Sequence, residues 1–214
     1  MASYTVPHQM CVFSDASTMM KQGDQLVPAQ LAWEHPGWNA NLTEPLDPLA
    51  RWIWSACHAE DPRNGGLADF YDEFFVVGAT TSAVLKIAVD NAFEAGLNET
   101  LIDTVNLTGD WRDQSVFGTA YLPDPGVSAW GVVYTYDVLG RVFSGTNELK
   151  VTGVNAAWPT DDPTVNPGGV RYQLCITSEE EIAGREAACE SAWSDGCRFV
   201  KKGNWATYST YTIQ

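Results

Sequence analysis

Hydrophobic and polar positions along this chain alternate over short runs, and apolar residues seldom recur at the three-to-four spacing of an amphipathic helix. In the clearest run, Ala83, Leu85, Ile87 and Val89 form one face, with Val84, Lys86 and Ala88 on the other, the signature of a half-buried strand. Similar runs rich in β-branched and aromatic residues are separated by Gly, Pro, Asn and Asp. They predict strands at Met10–Phe13, Gln30–Glu34, Arg51–Ser55, Phe70–Val77, Ala83–Val89, Phe93–Leu97, Thr100–Val105, Ala129–Asp137, Glu148–Val154, Val170–Thr177 and Trp205–Ile213. Trp52 and Trp54 flank Ile53, which puts both rings on one strand face, read as buried. One stretch departs from the pattern. Ser178–Trp193 carries Ile182, Ala187, Ala188 and Trp193 near helical spacing, with glutamates at its start where a helix dipole favours negative charge and Ser178 placed to cap it. A short C-terminal helix is expected there, with Gly184 as its weak point.

Many short strands joined by short loops point to an antiparallel arrangement rather than a parallel sheet with crossover helices. The expected fold is all-β: an antiparallel jelly-roll β-sandwich with that one helix. A length of 214 residues suits a single domain over residues 1–214. Its core would span about residues 50–177, with the segment 1–49 and the helix and strand of 178–214 packed on it. No repeat of solenoid or propeller period is visible.

Charge narrows the partners. Twelve Lys and Arg against 27 Asp and Glu give 12 − 27 = −15, a surface that repels phosphate backbones and anionic lipid, so neither nucleic acid nor a membrane surface is an expected partner. With 18% charged and 45% hydrophobic residues the composition is that of a folded protein, not a disordered one. The amino terminus lacks the basic and apolar regions of a secretory signal, and no run approaches a membrane span. Five cysteines, an odd number without CxxC spacing, argue against a disulfide framework or a zinc ribbon and are read as buried thiols. Cys189 and Cys197 are the one local pair worth testing for a bridge. Asn-x-Ser/Thr sequons occur at Asn41, Asn98 and Asn106, but the motif is short, and without a signal peptide it argues little for glycosylation.

Recognisable chemistry is sparse. The three histidines are isolated, which excludes a His-Glu-x-x-His metal helix, and no Gly-x-Ser-x-Gly elbow, P-loop or dinucleotide fingerprint occurs. Cys57 and His58 are sequence neighbours, which in a strand point to opposite faces. A glycosidase needs only two carboxylates a few ångströms apart, so 27 acidic residues leave that reading open as a minor one. Asp110, Asp113, Asp161 and Asp162 lie in loops that could supply oxygen ligands to a structural calcium ion, although no EF-hand spacing is present; beyond that ion no cofactor is expected. Nine Trp, eight Tyr and eight Phe are unusual. Trp111, Trp130 and Trp158 sit in or beside loops rich in Asp, Gly and Pro, where a ring could stack on the apolar face of a sugar, with core or interface burial as the alternative.

Two passages carry a family likeness. Ala83–Asp103 resembles the strand, turn, strand unit of galactose-binding-like jelly rolls, in which an apolar strand ends in Asp-Asn, here Asp90 and Asn91. Tyr136–Asn155 resembles a second passage of that group at Tyr136, Asp137, Gly145, Asn147, Leu149, Val151 and Asn155, and Asn166–Thr177 resembles its closing strand. The usual Asn-Gly turn is Asn98-Glu99 here, so this turn is expected to be built differently. The resemblance implies a fold, and a carbohydrate-binding or adhesive module, without catalytic residues. On their own chemistry Asp90, Asn91, Asp137, Gly145 and Asn147 are turn-fixing, since short polar side chains bond back to nearby amides. The expected function is therefore that of a non-enzymatic structural or adhesive protein displayed on a virion or extracellular surface: a virion decoration, head-fibre or tail-fibre protein, or a filament subunit. It would pair with itself or with other structural proteins of the assembly and hold glycans weakly. The alternative is a stand-alone lectin-like module.

Overall fold

In the computed structural model, which describes residues 3–57, 66–107, 131–156, 162 and 164–183, the alternating runs become strands of two antiparallel sheets, the expected all-β sandwich. The first sheet runs β10 (Tyr134–Asp137), β7 (Ala79–Asp90), β12 (Gly169–Ala183), then β5 (Ile53–Trp54) and β4 (Gln30–Leu31). β1 (Ser3–Phe13) also pairs with β12. The second runs β3 (Gln25–Pro28), β2 (Met19–Gln22), β6 (Gly66–Val76), β11 (Gly145–Asn155), β8 (Ala92–Leu97) and β9 (Thr100–Val105). Residues 3–31 thus contribute strands to both sheets.

Period-two alternation explains the core. Leu85, Ile87 and Val89 of β7 and Val170, Tyr172 and Leu174 of β12 are fully buried, as are Phe70 of β6, Val151 of β11 and Phe93 of β8. Each such side chain contributes about 1.5–3 kcal/mol by leaving water. The opposite face of the first sheet is covered as well. Ala88 and Arg171, paired across β7 and β12, lie under residues 33–50, where the short helix α1 (Pro36–Ala40) buries Trp38. His35 caps α1 by accepting the Gly37 N–H at 3.0 Å, and Pro36 supplies a preset helical φ. Arg171 and Gln173 hold this cover through the carbonyl and N–H of Asp47, and Lys86 holds it through Glu44.

Trp52 and Trp54 are buried, though against different neighbours. Trp52 stacks on Trp38 with centroids 4.3 Å apart, whereas Trp54 packs near Phe70. Glycine is needed where the chain passes these rings: a β-carbon at Gly168 would lie 2.5 Å from Trp54, and one at Gly169 would lie 2.6 Å from Trp38.

Three expectations are corrected. Ser178–Ala183 is strand, not the start of a helix: it ends β12 and pairs with Ser3–His8 of β1. A ladder to a strand far away in sequence satisfies the backbone there, and Ser178, far from capping, is buried and donates its hydroxyl to the Val77 carbonyl. Residues 184–193 lie outside the described residues, as do strand Trp205–Ile213, Cys189 and Cys197. The cysteines are not all buried thiols. Cys11 and Cys175 face each other in the β1–β12 register and form a disulfide across 164 residues, a separation that no local spacing reveals, while Cys57 is free and exposed. The Asn98-Glu99 turn is not built differently after all. It joins Leu97 to its partner Thr100 as a two-residue hairpin with both φ values positive, 50° and 61°, the conformation that glycine usually supplies. Three other expected strands are shorter, Gln30–Glu34 reducing to β4, Arg51–Ser55 to β5 and the described part of Ala129–Asp137 to β10. The β2–β3 hairpin, turning at Gly23 with φ +60°, was not expected.

Candidate functional site

Two carboxyls, half-buried Asp72 and buried Asp90, mark two polar clusters. Asp72, on β6, lies between the sheets, where Tyr172 of β12 donates its phenol to Oδ2 at 2.5 Å and Thr18 adds a bond at 3.3 Å. Burial pushes the Asp72 carboxyl up to about 6, against the opposing effect of these two donors. Ser14 completes the cluster by accepting the Tyr172 N–H and donating to the Arg51 carbonyl. Every contact is to a strand or strand end, so the cluster joins the sheets.

The second carboxyl, Asp90, sits at the end of the sandwich where β7 and β11 finish and β6, β8 and β12 begin. It accepts the Trp38 indole N–H at 3.1 Å through Oδ2 and the Asn91 carboxamide through Oδ1. Only 5% of Asp90 is exposed, and burial pushes its carboxyl up to about 7 despite the indole bond. Asn91 is the hub of this end. Its N–H donates to the Val154 carbonyl at 2.8 Å, its Oδ1 accepts the Ala156 N–H at 2.8 Å, and its carbonyl accepts from Asn106 at 3.2 Å. Asn166 donates to the Ala156 carbonyl at 2.7 Å and accepts from Asn155, whose buried Oδ1 has no hydrogen-bond partner among the described residues. Behind them Trp52 and Arg171 both donate to Asn39 Oδ1, at 2.9 and 2.5 Å.

This hub ties down two of the points where the chain leaves the described sandwich. One exit follows Asn106 and Leu107 and leads into the segment bearing Trp111 and Trp130; the other follows Ala156 and leads to Trp158. The chain re-enters at Gly131, whose carbonyl accepts the Thr43 N–H beside α1. The segment 58–65 returns at Gly66, the register partner of Asn155. All these exits and returns share one end of the sandwich.

The opposite end is built from tight turns. Asn147, 1% exposed, accepts the Phe143 N–H at 2.9 Å and donates to the carbonyls of Phe143 and Gly145. Gly145 has φ +102°. Asn98 spans the neighbouring hairpin, donating to the Arg141 carbonyl and to Asn147 Oδ1 and accepting the Glu148 N–H. Asp137 accepts the Leu139 N–H at 3.0 Å and turns the chain into the 3-10 turn Leu139–Arg141.

Of the remaining residues singled out from sequence, Trp111, Trp130, Trp158, Asp110, Asp113 and Asp161 lie outside the described residues. Asp162 is exposed, and its Oδ1 accepts the N–H and hydroxyl of Thr164 at 2.9 and 2.7 Å. Among the described residues no three His, Cys, Asp or Glu side chains group as a metal site. Sequence reasoning passed over Trp38, and it took Asn106 as a sequon and Asn166 as a loop oxygen donor rather than as parts of the Asn91 hub. The two asparagines lie just beyond β9 and just before β12, a placement that resembles Asn91 and would have flagged them; Trp38 carries no such signal.

No family model and no curated protein matches the chain. Among solved structures, it is similar to part of the α-L-rhamnosidase of Streptomyces avermitilis (19% identity, 80% of this chain and 13% of that one, TM-score 0.38). It is also similar to part of a β-glucuronidase from an uncultured Clostridium (12%, 80% and 29%, TM-score 0.40). A family 2 glycosyl hydrolase of Bacteroides cellulosilyticus is a third (12%, 79% and 20%, TM-score 0.37). The chain spans 13% to 29% of the length of these three proteins.

Proposed function

We propose that this chain is a non-enzymatic adhesive module that holds glycans at the Asn91 end of its sandwich. The observation that carries this reading is the convergence at that end: both segments bearing the loop tryptophans leave the sandwich from residues bonded to Asn91. Loops rooted together on a rigid sandwich are a common way to assemble a binding surface, and indole rings supply the apolar plane that a sugar face needs. The non-enzymatic part is supported by the fate of Asp72 and Asp90, the two carboxyls poised nearest neutral pH among the described residues, which are bonded between the sheets and under α1. The Cys11–Cys175 bond supports an oxidising, extracellular setting. The test is a glycan array probed with the full chain. Binding to a subset of saccharides, lost separately in Trp111→Ala, Trp130→Ala and Trp158→Ala, is the expected result; silence across the array removes the reading.

A second reading, that the module is a subunit of a virion or extracellular filament, draws on β1. This 11-residue strand pairs only with β12 among the described strands and contains no Asp, Glu, Lys or Arg, although charge is a usual guard of sheet edges. Light scattering after gel filtration checks it: a stable monomer with no affinity for itself or for any particle rules it out. Among the described residues no helix is long and apolar enough to cross a membrane.

A further inference from the structure

Three sequons are present, and the fold treats their asparagines differently. Asn98 is half-buried, and its Nδ2 spends both hydrogens, one on the Arg141 carbonyl and one on Asn147 Oδ1, each at 2.8 Å. A sugar on that nitrogen would remove one of these bonds and push into the Asn147 turn. Asn106 is half-buried as well, and its Nδ2 donates to the Asn91 carbonyl at the root of a loop exit. Asn41 is different. It is exposed at the C-terminal end of α1, and its Nδ2 makes one bond, to the Gly37 carbonyl at 2.7 Å. One hydrogen remains, directed away from that bond, so a glycosylated carboxamide can keep its contact to Gly37.

The chain's compartment also bears on the question. A disulfide between Cys11 and Cys175 is at home where thiols are oxidised, which is also where eukaryotic cells glycosylate asparagine. From these observations together we infer that Asn41 is an N-glycan acceptor of this protein, and that Asn98 and Asn106 are not. The step takes a lipid-diphosphate-linked oligosaccharide as donor. The Asn41 Nδ2–C1 bond forms, the bond from C1 to the diphosphate oxygen breaks, and the proton lost from Nδ2 leaves with the released lipid diphosphate. The hydroxyl residue of the sequon, Thr43, is exposed, and in the folded state its Oγ1 accepts the Val133 N–H, so the motif stays compatible with the fold after modification. The inference does not depend on the chain binding glycans itself.

The experiment is secretion of the full chain from a eukaryotic cell behind a cleavable signal, with the Cys11–Cys175 bond verified by non-reducing peptide mapping so that only folded protein is scored. Intact mass before and after enzymatic deglycosylation is expected to differ by one N-glycan. Deglycosylation in heavy-oxygen water should place the label at residue 41 alone. Asn41→Gln should abolish the difference, and Asn98→Gln or Asn106→Gln, where they fold, should leave it intact. Folded wild-type protein without a glycan, or with one at Asn98 or Asn106, overturns the inference. Because the wild-type site map alone decides this, misfolding of a variant does not blunt the test.

Discussion

The two ends of the sandwich use the same short polar side chains to opposite effect. At the Asn147 end, most carboxamide and carboxylate bonds close turns over a few residues: Asn147 reaches Phe143 and Gly145, and Asp137 reaches Leu139. At the Asn91 end the bonds run between segments far apart in sequence, with Asn91 reaching Ala156 and Asp90 reaching Trp38. One end is a set of stops that return the chain to the sheet. The other is an anchor that joins distant segments of the chain and seals a carboxyl beneath tryptophan.

The largest effect expected from this contrast is a pH effect. Asp90 has a folded-state pKa of about 7 against an ordinary value of 3.8, so the folded chain binds more protons than the unfolded chain between those values. The stability that Asp90 contributes is therefore full below about pH 4 and is lost as pH rises toward 7, by an amount on the order of 4 kcal/mol. Asp72 adds a loss of the same sign between about 4 and 6. Urea midpoints measured from pH 4 to 8 should show this decline, and Asp90→Asn should flatten the part nearest pH 7. An unchanged profile in the variant would mean that the carboxyl is not sealed.

Next in size, Asn147→Ala strands several backbone groups at once and should lower stability by about 3 kcal/mol without touching glycan binding. Asn91→Ala should cost less, about 2 kcal/mol, and weaken binding as the loop roots loosen. Paired denaturation and array measurements would break the comparison if the two variants behaved alike. Gly169→Ala drives a methyl group into Trp38 and should destabilise by about 2 kcal/mol, read from the thermal midpoint. The smallest change has the opposite sign. Glu99→Gly relieves a positive φ at an exposed hairpin position and should stabilise by about 0.5–1 kcal/mol in urea titration, with binding untouched.

Legibility in the sequence followed the range of the interactions. The alternation of Ala83–Val89 needs only the pleat, and it appears as β7 with its inner face fully buried. Asp137 and Asn147 sit beside the turns they hold, so their chemistry could be read from neighbours within a few positions. Ser178–Ala183 misled because a run of glutamates before small apolar residues fits a helix start equally well, and it is pairing with β1, some 170 residues earlier, and at its start with β7 that makes it a strand. The site at Asn91 was half legible: Asp90 and Asn91 could be read as a strand end, whereas Trp38 over Asp90 and the loop exits around Asn91 could not.

By itself, then, the sequence determined an acidic, all-β, antiparallel sandwich, because alternation, turn residues and charge are properties of neighbours and sums. The tertiary structure alone decided that Cys11 meets Cys175, that the Asp72 and Asp90 carboxyls are pushed up toward neutral pH, that Asn41 is the exposed sequon, and that the segments bearing Trp111, Trp130 and Trp158 leave from one end. Burial, pairing and protonation depend on which distant residues arrive at the same place, and a linear pattern holds no record of that until the sheets close over one another.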